Sequence, residues 1–126
     1  LTVDLVVKGD LNTDKLRAHL DALDYFVQKH DDWDGENKWY LNISCPCDYD
    51  EAESCIKKYC EDLSTMPEDA KIEWDQARYR EFSIGYNVGV EPRCFENHIS
   101  QETIARAAAL GAGIGISLYP DSQTDE

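Results

Sequence analysis

Apolar and polar residues alternate at the start of the chain. Val3, Leu5 and Val7 are set against Thr2, Asp4 and Val6. A period of two predicts a strand with one buried face, ending at Gly9. The period then lengthens: Leu16, Leu20, Leu23 and Val27 recur at i, i+4, i+7 and i+11. That spacing predicts one apolar stripe on a helix, with Asn12 or Thr13 as its cap and Asp14 in its first turn. His30 to Lys38 (HDDWDGENK) is polar and contains Gly35, which predicts a loop. A strand over Trp39 to Ser44 follows, with Trp39, Leu41 and Ile43 on a shared face.

Asp48 and Glu51 have the spacing of a capping box for a second helix, which carries Ala52, Ile56, Tyr59 and Leu63 on one side and is ended by Pro67. Lys71 to Trp74 and Arg80 to Val90 read as a hairpin or two successive strands. In the second, Phe82, Ile84, Tyr86, Val88 and Val90 alternate with a face that holds Gly85 and Gly89. A third helix runs from Gln101, capped by Ser100, to Leu110, with Gly111 as its C-terminal cap. Gly113 to Tyr119 form the last strand. Ala105, Ala107, Ala108 and Ala109 with Gly113 and Gly115 predict close backbone packing between that helix and the sheet. The order is β-α-β-α-β-β-α-β. It predicts an α+β domain over 1-120, a mostly antiparallel sheet with three helices packed on it, and a disordered acidic tail over 121-126. The strand-to-helix steps after Gly9 and Gly89 hint at a pseudo-duplication.

Composition adds partner preference to this picture. The 126 residues fit one domain with its own core, and three Trp, seven Tyr and three Phe supply bulk that acidic disordered chains lack. Asp and Glu number 26 against 12 Lys and Arg, a formal charge of −14. Phosphate binding needs a basic patch, so nucleic acid is excluded as a partner, whereas steering toward a cationic surface is favoured. LTVDLVVKGD lacks the features of an export signal, no apolar run is long enough for a membrane span, and five cysteines form an odd set. Together these predict reduced thiols, a cytoplasmic protein and no membrane partner.

Motifs for chemistry fail one by one. Setting Gly35 at the sixth position of a calcium loop puts His30 first and Leu41 twelfth, where carboxylates are required. Cys45 and Cys47, Cys55 and Cys60 make no CxxC pair, and His19, His30 and His98 are scattered, so no zinc site and no cofactor is expected. Gly111, Gly113 and Gly115 follow a helix and are not a dinucleotide fingerprint. A triad of Cys94, His98 and an Asp is the sort of combination any chain of this composition offers. The expectation is a protein without catalytic residues.

What remains is acidity with an aromatic inside it. Asp31, Asp32, Asp34 and Glu36 surround Trp33, which reads either as a side chain folded back onto the core or as an anchor for Lys and Arg. Asp50, Glu51 and Glu53 make a second patch, and Asp48, Glu61, Asp62, Glu68, Asp69, Glu73 and Asp75 extend it toward one continuous negative surface. VDLVVKGDLNTDKLRAHL, the central WYLNI strand and ISQETIARAAALGAGIGISLYP together resemble a family of small bacterial α+β domains, many members of which are similar to immunity proteins. The resemblance spans nearly the whole chain and brings no catalytic residue with it. It implies an inhibitor that covers a basic partner, a cognate toxin domain such as a nuclease. The alternatives are an acidic nucleic-acid mimic that blocks a defence enzyme and a small ligand-binding domain.

Overall fold

The computed structural model describes residues 1–10, 12–31, 38–46, 51–88 and 97–120. Strand β1 (Thr2–Gly9) leads to helix α1 (Asp14–Ala22), and strands β2 (Phe26–Asp31) and β3 (Trp39–Ser44) follow. Helices α2 (Ala52–Leu63) and α3 (Glu68–Gln76) precede β4 (Tyr79–Val88), and α4 (Gln101–Ala109) precedes β5 (Gly113–Pro120). The domain is α+β as the sequence predicts, but the described residues form four helices, and their five strands make one mixed sheet in the order β2-β3-β1-β4-β5. The pairings β1–β3, β1–β4 and β2–β3 are antiparallel, while β4–β5 is parallel.

Two split β-α-β units interlock in this order. β1 and β2 are each antiparallel to β3, which lies between them, and β3 and β4 are each antiparallel to β1. The first four strands thus have a ferredoxin-like arrangement, and α4 adds β5 by a crossover onto an adjacent parallel strand. The sequence hint of duplication extends only to the strand-to-helix steps: α1 leads across an intervening strand, α4 to a neighbour.

Period two along the strands decides which face is buried. Val3, Leu5, Val7, Trp39, Leu41, Ile43, Phe82, Ile84 and Tyr86 pack in one cluster with Leu16 and Leu20 of α1, Ile56, Tyr59 and Leu63 of α2, and Trp74 of α3. The opposite face carries Asp4, Val6, Lys8, Tyr40, Asn42, Ser44, Glu81 and Ser83, all partly exposed. Tyr59, fully buried, places its hydroxyl 2.8 Å from the Val3 carbonyl and 3.0 Å from that of Ile43, joining α2 to two strands.

Trp74 is also fully buried and donates its indole N–H to the Leu110 carbonyl at 2.9 Å. The Arg80 guanidinium lies over the Trp74 ring, 5.5 Å from its centroid. It donates from Nη1 to the carbonyls of Trp74 (2.8 Å) and Ala77 (2.9 Å), and from Nε to that of Gly111 (3.2 Å). One cation therefore serves the carbonyl ends of α3 and α4, where helix dipoles concentrate negative charge. Gly111 has φ +75°, and a Cβ there would come within 2.7 Å of Arg80 Nη2.

Several sequence expectations change. The stripe through Leu16, Leu20, Leu23 and Val27 is broken: α1 stops at Ala22, Asp24 takes φ 69°, and Val27 belongs to β2, opposite Ile43. Lys71 to Trp74 are helix, since Pro67 is the N-cap of α3 instead of a terminator, and Glu68 and Asp69 fill its first turn. The second helix begins at Ala52 with Glu51 as N-cap and no side-chain cap bond; Asp48 lies outside the described residues. Ser100 caps α4 by accepting from the Thr103 N–H, and Gly111 closes it, as expected. Gly113 and Gly115 do not admit that helix, because their positions pair with Glu81 and Ser83 on the face away from the helices; α4 packs on α2.

Candidate protein-binding surface

The sheet has two ends, and the described residues Asp31 and Glu53 go to different ones. Asp31 pairs with Trp39, which pairs with Gly9, so it marks the end of the sheet at the close of β1. Glu53 accepts a hydrogen bond from the backbone N–H of Ser100, the N-cap of α4, in the connection that leaves β4 beyond Val88. That is the Thr2–Gly85 end. With a rise of about 3.3 Å per residue, the eight residues of β1 hold these ends about 23 Å apart. Asp31 and Glu53 therefore do not adjoin each other.

Asp31 and Glu51 are exposed. Glu53 is employed within the fold: besides Ser100 it has Lys57 Nζ at 3.9 Å, and the Ser100 N–H holds its carboxyl below the ordinary glutamate value. Asp32, Trp33, Asp34, Glu36 and Asp50, named from sequence as contact residues, lie outside the described residues, as do Cys47 and Cys94.

At the Asp31 end, Asp10, Asn12, Asp14, Lys29, Lys38 and Trp39 line a depression of about 300 Å³. Local folding explains its shape. Trp39 is only 5% exposed and forms the floor, with Lys29 Nζ 5.7 Å from its ring centroid. Thr13 is the N-cap of α1 without a side-chain cap bond, and Asn12 Oδ1 accepts from the Asp14 N–H at 2.6 Å. Asp10 accepts from the Lys38 N–H at 2.8 Å and pairs with Arg78 at 2.6 Å, tying together the chain on either side of the depression. Asp14 and Asp31 remain exposed. Sequence reasoning assigned Trp39 to the core and missed the depression, because its walls come from the β1–α1 turn, strand β2 and the start of β3, which only the β2–β3–β1 pairing brings together.

The described cations are largely engaged within the fold. Lys57, Lys58 and Lys71 pair with Glu53, Asp62 and Asp75 one helical turn away, Arg78 with Asp10, and Arg80 with helix carbonyls. Lys8 sits 5.2 Å from the Tyr79 ring centroid and Lys29 over Trp39. Asp62 is similarly engaged: Tyr25 donates to it at 2.7 Å, and burial together with that carboxylate raises the Tyr25 pKa far above the usual tyrosine value.

Features for chemistry are sparse in the described part of the chain. Cys55 and Cys60 are buried free thiols and Cys45 is half-buried; burial pushes the Cys60 thiol up. His98 is exposed. Among the described residues, no three His, Cys, Asp or Glu side chains are grouped to hold a metal ion, and no helix is long and apolar enough to cross a membrane. Scans of protein-family models, curated proteins and solved structures find no match to the chain.

Proposed function

We propose that the chain is a protein-binding inhibitor that engages a basic partner, of the immunity type that neutralises a nuclease toxin in competition between bacteria. One observation carries the reading: in a chain of charge −14, most of the described cations, among them Lys57, Lys58, Lys71, Arg78 and Arg80, are engaged in internal contacts. The uncompensated carboxylates are then left to face a partner, and a positively charged nuclease cleft supplies the complement. Such a field speeds association and rejects acidic competitors.

The contact end is the one at Asp31. It combines exposed Asp14 and Asp31 with the depression over Trp39, and it adjoins the acidic segment 32–36 in sequence. Glu53 serves the fold instead, which leaves Glu51 as the exposed described carboxylate of the second patch. Separation of Asp31 from Glu53 by the length of β1 favours a protein partner over the nucleic-acid mimic, which needs carboxylates in a row along one face. Capture from a lysate of the producing cells at low and high salt tests the reading. A basic nuclease retained at low salt, lost at high salt, and inhibited by the chain is the expected result. Retention that ignores charge reversal at Asp14 and Asp31 would sink it.

A further inference from the structure

We propose that β5 is a self-association edge, pairing antiparallel with β5 of a second copy about a two-fold axis. This is independent of the basic partner, whose surface lies by the opposite edge strand, β2. Among the described residues β5 is bonded to β4 on one side only. Its row partners show that the layer is incomplete there. Ile84 and Tyr86 are buried, while Ile116 and Leu118, level with them on the same face, are 62% and 59% exposed. Neither lies where it would be left for solubility alone, because both continue the core row.

Charge selects the occupant. From Ala107 to Pro120 the chain has no Asp, Glu, Lys or Arg, although the whole carries −14. A cationic partner gains nothing from a neutral edge, whereas a second copy of this chain meets no like charge along it. The neutral strand is where two such molecules can approach. Protective devices are also missing: exposed sheet edges ordinarily carry a charge, an inward-pointing lysine or a mid-strand proline, and Gly113–Tyr119 has none. β2, the other edge, does carry Lys29 and Asp31. A two-fold strand pair is self-complementary, and with its axis at Ser117 it sets Ile116 of one copy opposite Leu118 of the other, joining two five-stranded sheets.

Sedimentation velocity and light scattering on the full chain, from micromolar to millimolar concentration, test this. Wild type is expected to move from the 14.4 kDa monomer to twice that mass, with amides of residues 113–119 gaining hydrogen-exchange protection as concentration rises. Ile116→Lys with Leu118→Lys should stay monomeric, and Phe26→Lys on β2 should dimerise like wild type. Should the double variant misfold, Ile116→Thr keeps strand preference and should weaken the dimer about tenfold. A wild type that is monomeric at millimolar concentration, a dimer unaffected by the β5 changes, or one dissolved by Phe26→Lys would overturn the proposal.

Discussion

Replacing Arg80 with Met isolates the contribution of one guanidinium to the joining of α3, β4 and α4. Met keeps the apolar stem and removes the charge and every donor. The two Nη1 bonds, at 2.8 and 2.9 Å, are charge-assisted but partly solvated. At the low end of the range for such bonds they contribute about 1.5 kcal/mol each. The longer bond to Gly111 and the stacking over Trp74 add about 0.5 kcal/mol at such a site, for a total loss of about 3.5 kcal/mol. With an m-value of about 1.5 kcal/mol per molar, the urea midpoint falls by about 2.3 M. The melting temperature falls by about 14 °C at about 4 °C per kcal/mol. Unfolding followed by tryptophan fluorescence and far-ultraviolet circular dichroism should give coincident curves with an unchanged slope. Arg80→Lys should recover less than half of the loss, since one ammonium on a flexible stem cannot reach three carbonyls together. A loss below about 1 kcal/mol, or a lysine variant as stable as wild type, would show that the helix ends do not depend on this cation.

Three further stability outcomes follow from the packing. Tyr59→Phe keeps the buried ring but strips the hydroxyl from the Val3 and Ile43 carbonyls, so urea unfolding should show a loss of about 1 to 2 kcal/mol. Gly111→Ala, forced to φ +75° and against Arg80, should destabilise by about 1 to 2 kcal/mol. Gly113→Ala, whose Cβ meets nothing within 4 Å, should stay within about 0.5 kcal/mol of wild type. The depressed Glu53 carboxyl gives stability that is present above the unfolded glutamate value, about 4.3, and is lost as pH falls through the lower folded value. Melting of wild type and Glu53→Gln should therefore differ at pH 7 and converge toward pH 3. A difference that persists or widens in acid contradicts that role.

Legibility in the sequence followed the kind of signal available. β1, β3 and β4 announced themselves because one face is buried and period two is maintained. α4 did so because Ser100 and Gly111 are local devices that act on the nearest backbone. α1 was overextended because Val27, a core-facing residue of β2, happens to fit the helical spacing, and the turn at Asp24 uses a positive φ that no glycine advertises. β2 itself, FVQKHD, is an edge strand with little buried side chain, so there is no alternation to read. Lys71 to Trp74 look like strand in the sequence although Pro67, Glu68 and Asp69 form a helix start; the burial of Ala70 and Trp74 one turn apart is the helical period of that segment. The acidic positions were legible as residues but not as a surface. Sheet order sends Asp31 and Glu53 to opposite ends, and a hydrogen bond to Ser100, 47 residues away, cannot be inferred from composition.

Local charge can be separated from total charge by two variants that alter the net charge equally. Asp14→Lys with Asp31→Lys changes the exposed rim near the Trp39 depression, while Glu61→Lys with Glu102→Lys changes exposed positions on α2 and α4. Affinity of both for the basic protein captured by wild type, measured at low and physiological salt, is the decisive comparison. Reversal at Asp14 and Asp31 should weaken binding at least about tenfold per pair of charges, mainly through slower association, while the other variant remains within a factor of about three. Equal losses in the two variants would mean that net charge alone attracts the partner and that the surface at Asp31 has no special part in binding.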